Sequence, residues 1–148
     1  MELLLLIEIK GMKFPLDRKC YTKNGAHLWL KSEGDSIKIG MDAFAAEMMG
    51  SLTFLNVNKK QVRMGEEIGS FEASKFISKI YSPISGEIID INDNVLSNPS
   101  EINKNPYNSW IFIIKPDNAE EERTYIIEGK EEISKWISEE IKRAECDK

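Results

Sequence analysis

Phe71-Glu72-Ala73-Ser74-Lys75-Phe76-Ile77-Ser78-Lys79-Ile80-Tyr81, followed by Ser82-Pro83-Ile84-Ser85-Gly86-Glu87-Ile88, is the stretch on which the reading of this chain turns. Gly65-Glu66-Glu67-Ile68-Gly69-Ser70 leads into it. The pattern predicts two strands meeting at a tight reversal with Lys75 near its tip. A lysine so placed is exposed to solvent at the tip of a hairpin. A turn lysine taken alone is an ordinary solvated side chain, so its meaning depends on what surrounds it.

Working outward, His27-Leu28-Trp29-Leu30-Lys31 and Ser36-Ile37-Lys38-Ile39 read as a hairpin joined through Glu33-Gly34-Asp35. Gly40 is followed by a short helix with Asp42 as N-cap, Phe44/Met48 and Ala45/Met49 four residues apart, and Gly50 as its stop. Leu52–Val57 reads as a strand, as do Gly86–Asn92 and Trp110–Ile114, the last ended by Lys115-Pro116. Residues 92–109, rich in Asn, Ser and Pro, predict a long surface connection. From Gly129 onward Ile133, Trp136, Ile137 and Ile141 recur at helical spacing, with Glu131/Lys135 and Glu139/Arg143 as ion pairs on the polar side. That amphipathic stripe is suited to packing on the rest of the chain rather than to a membrane surface, since its polar face is not basic.

Strands without regular β-α alternation exclude a doubly wound sheet. The expected fold is mainly β (α+β), a small sandwich or barrel with a short internal helix and an amphipathic C-terminal helix. The expected division is an N-terminal extension over residues 1–11, with Met12 as a natural start, then a β domain over 12–116 and a helical segment over 117–148 packed on it. The apolar run Leu3-Leu4-Leu5-Leu6-Ile7 is too short to span a membrane and lacks the basic flank of a signal peptide.

The 148 residues fit one compact domain, and 41% hydrophobic with 30% charged residues is a globular composition. The net charge of -5, the absence of a Lys/Arg run and a pI near 5.1 argue against nucleic acid as a partner. Cys20 and Cys146 form no Cys-x-x-Cys pair, so neither a metal site nor a disulfide framework is expected, and the chain is assigned to the cytoplasm. His27 is the only histidine and has no nucleophile in a local motif; it reads as a hydrogen-bonded structural residue, and Trp29 and Trp110 read as core. No Walker loop or Gly-x-Gly-x-x-Gly is present, and Glu66-Glu67 and Glu120-Glu121-Glu122 read as solvated surface. The expectation is a non-enzyme.

The segment around Lys75 resembles the lipoylation segment of glycine cleavage H proteins, which show Glu-Ser-x-Lys-Ala, a short strand, then Pro-x-Ser-Gly-Glu. Glu72 stands three before Lys75 and Gly86 eleven after it, as in that family. His27-x-Trp29 resembles its His-Glu-Trp, Gly40-Met41 through Gly50 its Gly-Ile-Thr helix, and Asn98-Pro99 through Asn103 with Asn105-Pro106-Tyr107 and Trp110 its closing segment. The resemblance spans roughly residues 16–140. It implies a flattened barrel-sandwich hybrid, lipoate as covalent lipoyl-Lys75, and a lipoate ligase or octanoyl/lipoyl transferase to install it. It further implies glycine decarboxylase, aminomethyltransferase and dihydrolipoamide dehydrogenase as partners. Biotinyl domains share the fold, but their lysine lies between two methionines and Lys75 lies between Ser74 and Phe76.

Four positions depart from the family at the cleft that shelters the loaded arm. Leu28 stands where Glu is usual, Phe44 where His is common, Phe76 where Ala is usual, and Lys79 at a position often acidic. All make that cleft less acidic or more apolar, which disfavours a buried ammonium. Leu28, Gly40-Met41 and Phe76 also follow the H-like lipoate-binding proteins that serve a heterodisulfide-reductase-like complex in sulfur oxidation, and the expectation leans slightly towards that role. An unmodified interaction module that has kept the fold is the third reading.

Overall fold

The computed structural model describes residues 5–146. The chain order is β1 (Leu6–Ile9), β2 (Met12–Pro15), β3 (Lys19–Tyr21), β4 (Leu28–Glu33), β5 (Ser36–Met41), α1 (Ala43–Met48), β6 (Leu52–Val57), β7 (Gln61–Val62), β8 (Glu67–Ala73), β9 (Ile77–Tyr81), β10 (Gly86–Ile91), α2 (Asp93–Ser97), α3 (Glu101–Lys104), β11 (Phe112–Pro116), β12 (Ile126–Ile127) and α4 (Lys130–Cys146). A seven-stranded sheet runs β12-β3-β4-β5-β11-β10-β7, a three-stranded sheet runs β6-β8-β9, and β1 and β2 form a separate hairpin. Side chains alternate across a strand, so each sheet can turn one apolar face inward. Leu30, Ile39 and Phe112 stand in one cross-strand row of the larger sheet. With Ile68 and Ile80 from the smaller sheet they belong to one buried cluster. This is the expected flattened barrel-sandwich, mainly β with helical attachments.

Close packing explains the glycine at position 40 of β5: a Cβ there would lie 2.5 Å from the Trp29 indole, and Trp29 and Gly40 are direct cross-strand partners. Trp29 is buried as expected, and its Nε1 donates to the Pro106 carbonyl at 3.1 Å. Asp42 caps α1, its Oδ1 accepting from Ala45 N at 2.9 Å.

Several expectations are corrected. Residues 92–109 are not one open connection: α2 and α3 form within them, burying Val95 and Ile102, and Ser109 beyond α3 is buried as well. The small apolar content hid this, because one buried residue per short helix leaves no period to detect. The last long strand begins at Phe112 rather than Trp110, although Ile111 N already donates to the Ile39 carbonyl at 2.8 Å. The division at residue 12 falls at the turn of the β1–β2 hairpin, where Lys10 and Gly11 have φ of 52° and 81°, so the strands on either side are one unit. The leader's Leu3 and Leu4 lie outside the described residues. On α4 the Arg143 guanidinium pairs at 3.0 Å with Glu140, not with the expected Glu139.

The apolar stripe of α4 packs where expected. Ile133 and Ile137 are buried with Ile7, Phe14, Cys20 and Phe44 in a second cluster between the first hairpin, α1 and α4. Among the described residues no helix is long and apolar enough to cross a membrane.

Candidate functional site

Lys75 lies at the bend between β8 and β9 and is exposed. The bend is closed by Ala73 N donating to the Phe76 carbonyl at 2.7 Å. Its outer amides are also engaged: Ser74 N donates to the Ser51 carbonyl and Lys75 N to the Met49 carbonyl, each at 3.0 Å. Ser74 Oγ accepts from Ser51 N at 3.1 Å. The lysine turn is therefore bonded to the segment that ends α1. Gly50 makes this approach possible: its φ is +76°, and a Cβ there would fall 2.0 Å from Ser74 Oγ. Asn103 braces the same segment, its Nδ2 donating to the carbonyls of Ala46 (2.9 Å) and Gly50 (2.7 Å) while its Oδ1 accepts from Leu52 N (2.9 Å). These bonds tie down the backbone of the turn and leave the Lys75 side chain exposed.

Glu72 is exposed near the end of β8, between Phe54 and Ile77 across the small sheet. Gly86 is in the other sheet, opening β10 between β7 and β11. A Cβ on it would meet the Lys115 carbonyl at 2.2 Å, so its place in the motif reflects sheet packing, not contact with the lysine.

Leu28, Phe44, Phe76 and Lys79 line one cavity of about 890 Å³. It lies between the inner faces of the two sheets. Tyr21, Leu28 and Met41 form one wall as a cross-strand row, and Phe71, Ser78 and Ile80 stand opposite. Phe76, next to Lys75, lines its near end, and α4 contributes Glu140, Arg143 and Ala144. The Lys79 amine pairs with Glu67 at 3.1 Å, which raises its pKa. The Tyr21 hydroxyl is buried, with no hydrogen-bond partner among the described residues.

His27 also borders the cavity. Its Nδ1 meets Asp42 Oδ2 at 2.9 Å and its Nε2 meets Glu140 Oε1 at 3.0 Å. Phe44 and Trp136 stack on its two faces with centroids 4.4 and 4.5 Å away. Burial disfavours its charge, but Asp42 and Glu140 outweigh burial and hold its pKa up at about 9. At neutral pH both ring nitrogens therefore donate. The Cys20 thiol is pushed up to about 12 by burial and by Asp42, and is inert at neutral pH. Among the described residues no cluster of three His, Cys, Asp or Glu could hold a metal ion. Sequence reasoning missed Tyr21, Asn103 and Glu140 as parts of this region. Asn103 leaves a trace as the end of the Asn98–Asn103 segment of the resemblance, and Glu140 as a carboxylate in register with the α4 stripe; Tyr21 leaves none.

Residues 19–140 match the family model described as Glycine cleavage H-protein. The chain belongs to the glycine cleavage H-protein family. It is 43% identical over 110 residues to the glycine cleavage system H protein of Bordetella pertussis, covering 73% of this chain and 86% of that protein. It is 35% identical over 117 residues to the probable glycine cleavage system H protein 3 of Sulfurisphaera tokodaii, covering 78% and 85%. The crystal structure of an H protein from Mycobacterium marinum superposes with a TM-score of 0.70 at 25% identity, covering 86% of this chain and 98% of that one. As an H-family protein the chain is a non-catalytic carrier component, and the family carries lipoate. These relatives lend no support to the heterodisulfide-reductase-like assignment.

Proposed function

We propose that Lys75 is the lipoyl attachment site and that the chain is the lipoyl carrier of a glycine cleavage system. The observation that carries this reading is the exposed Lys75 on a turn whose amides are bonded to Met49 and Ser51. A lipoate ligase or an octanoyl/lipoyl transferase needs a protruding amine on a backbone that does not yield. Glu72, three residues before it and exposed, is the side chain such an enzyme would meet beside the amine.

A bound lipoyl group supplies reversible thiol–disulfide exchange and group carriage. The chain supplies position. The fit is good: the cavity opens beside the turn, its apolar walls suit a hydrocarbon arm, and the Tyr21 hydroxyl has no hydrogen-bond partner among the described residues. Leu28, Phe44 and Phe76 exclude water from such an arm, while Lys79 is held at the rim by Glu67. Glycine decarboxylase, aminomethyltransferase and dihydrolipoamide dehydrogenase are the partners this reading assigns. The two free thiols, Cys20 and Cys146, suit a reducing cytoplasm.

Intact-mass measurement of protein from lipoylation-competent cells tests the assignment. One added lipoyl group, absent from Lys75→Arg, is expected; a free Lys75 despite an active ligase rejects it and favours an unmodified interaction module. Lipoylated protein is then offered glycine and a glycine decarboxylase. Loading is expected, and failure would reject the pathway while leaving the carrier role standing; rescue of such a failure by Leu28→Glu would trace it to the apolar cleft.

A further inference from the structure

Among the described residues, the large apolar side chains left exposed gather near the lysine turn. Phe54, Phe76 and Ile77 stand by it, whereas Leu5, Leu6, Ile89 and Tyr125 lie on other elements. Phe76 lines the cavity, but Phe54 and Ile77 do not, so the cavity does not account for them. Register brings these two together: Phe54 pairs with Glu72 and Glu72 with Ile77, so the three stand side by side on one face of the three-stranded sheet. Ile77 is 78% exposed, more than any other large hydrophobic among the described residues. Glu72 forms no ion pair among those residues.

The next row, Asn56, Ser70 and Lys79, is polar and satisfied within itself. Asn56 Oδ1 accepts from Ser70 N and Oγ, and Lys79 pairs with Glu67. Apolar side chains scattered singly over a surface are ordinary. An apolar pair around an unpaired carboxylate, bordered by a polar row, has the anatomy of an interface.

Reach selects the occupant. The bare Lys75 amine extends only about 6 Å from its Cα at roughly 1.25 Å per bond. An enzyme that acylates it must therefore bring its active site down onto the turn. A standard interface of about 800 Å² per partner is a disc of roughly 16 Å radius. Ile77, two residues from Lys75, lies at most ~7 Å away, and Phe54, one strand beyond Glu72, at most ~16 Å. The lysine stem leans to the β6 side: a Cβ on Gly50, just before β6, would lie 3.4 Å from Lys75 Cγ. Phe54 is on that strand. Enzymes that act on the finished arm meet it about 14 Å from the backbone and can stand off from the sheet.

We propose that Phe54 and Ile77, on either side of Glu72, form the apolar docking surface for the enzyme that acylates Lys75. The proposal rests on the carrier reading above. The inner face of the three-stranded sheet then serves the arm and the outer face serves its installation. Phe54 and Ile77 are positioning residues for that acylation: they hold the enzyme over the amine and take no part in the chemistry.

The test uses the full-length unlipoylated protein with a lipoate ligase, lipoate and ATP. Initial rates of Lys75 acylation are followed by intact mass while the carrier concentration is varied. Phe54→Ser and Ile77→Ser are each expected to raise KM for the carrier about tenfold with little change in kcat. Ile77→Leu should restore the wild-type KM, and Ile89→Ser, exposed on the other sheet, should leave it unchanged. Acetylation of Lys75 by a small N-hydroxysuccinimide ester should proceed equally in all variants, and their Tm should match the wild type. Wild-type KM values in both serine variants overturn the docking surface and leave the carrier role standing. A loss of ester reactivity in parallel with the ligase effect makes the two residues structural and also overturns it. If instead the variants are lipoylated normally but are loaded more slowly by glycine decarboxylase, the face belongs to a later partner. A wild-type dimer in sedimentation that becomes a monomer in the variants, with unchanged lipoylation, gives the face to a second copy of the chain; either result rejects the proposal. A wild-type chain that no ligase modifies removes the carrier reading itself.

Discussion

His27 carries charge where water barely reaches. It is 8% exposed, yet two carboxylates on its ring nitrogens and two aromatic faces leave it one comfortable state, the imidazolium. Its pKa rises from 6.5 unfolded to about 9 folded, so the ion pair stabilises the fold fully below pH 6.5 and loses that contribution as pH rises through 9. Glu140 moves the other way: the His27 hydrogen bond leads in lowering its pKa, and its contribution is lost as acid protonates it. Urea unfolding should show stability falling by up to about 1.4 kcal/mol per pH unit between pH 6.5 and 9. His27→Gln should flatten that slope and cost about 3 kcal/mol at neutral pH by leaving Asp42 and Glu140 without their cation. A wild-type curve level across this window would show that His27 is neutral. His27 was legible as a structural histidine, and Asp42 as a cap. The third partner was not, because Glu140 is 113 residues away and no local pattern links them.

At the scale of elements, α4 is an integral part of the fold. It covers the β1–β2 hairpin, seals the second cluster with Ile133 and Ile137, and brings Glu140 to His27. Ile137 is fully buried. Ile137→Ala should therefore lower unfolding free energy by about 3 kcal/mol, whereas Ile89→Ala, at a half-exposed position, should stay within about 0.5 kcal/mol. Equal effects in a denaturant titration would mean that α4 is only loosely attached. The longer elements were readable, β4, β5, β6, β8 and β10 from their β-type runs between turn residues and α4 from its helical spacing. The short ones were not. β7 and β12 have two residues each, and α2 and α3 are shaped by what they pack against rather than by any pattern of their own.

For the whole molecule, the question is how a lysine on a loop can have a fixed address. The sequence marked Lys75 by its neighbours, but the reason its backbone holds still is non-local: a turn between β8 and β9, the end of α1, and α3 are joined by hydrogen bonds through Ser74, Gly50 and Asn103. Such bonds suppress local opening, and amide exchange reports local opening directly. The amides of Ser74 and Lys75 should therefore exchange far more slowly than those at the hairpin turn of Gly34 and Asp35, although both turns are exposed. Asn103→Ala removes three bonds to the α1–β6 segment and should cost about 2 kcal/mol. Its exchange signature should reach beyond the mutated site: faster exchange at Ser74 and Lys75, in a different element, with amides in β4 and β5 unchanged. The same variant should be lipoylated more slowly by a ligase while keeping its Lys75 amine exposed. Fast exchange at the lysine turn in the unmutated protein would refute the rigid platform. An Asn103→Ala protein with unchanged exchange there would show that the turn holds itself, without help from α3.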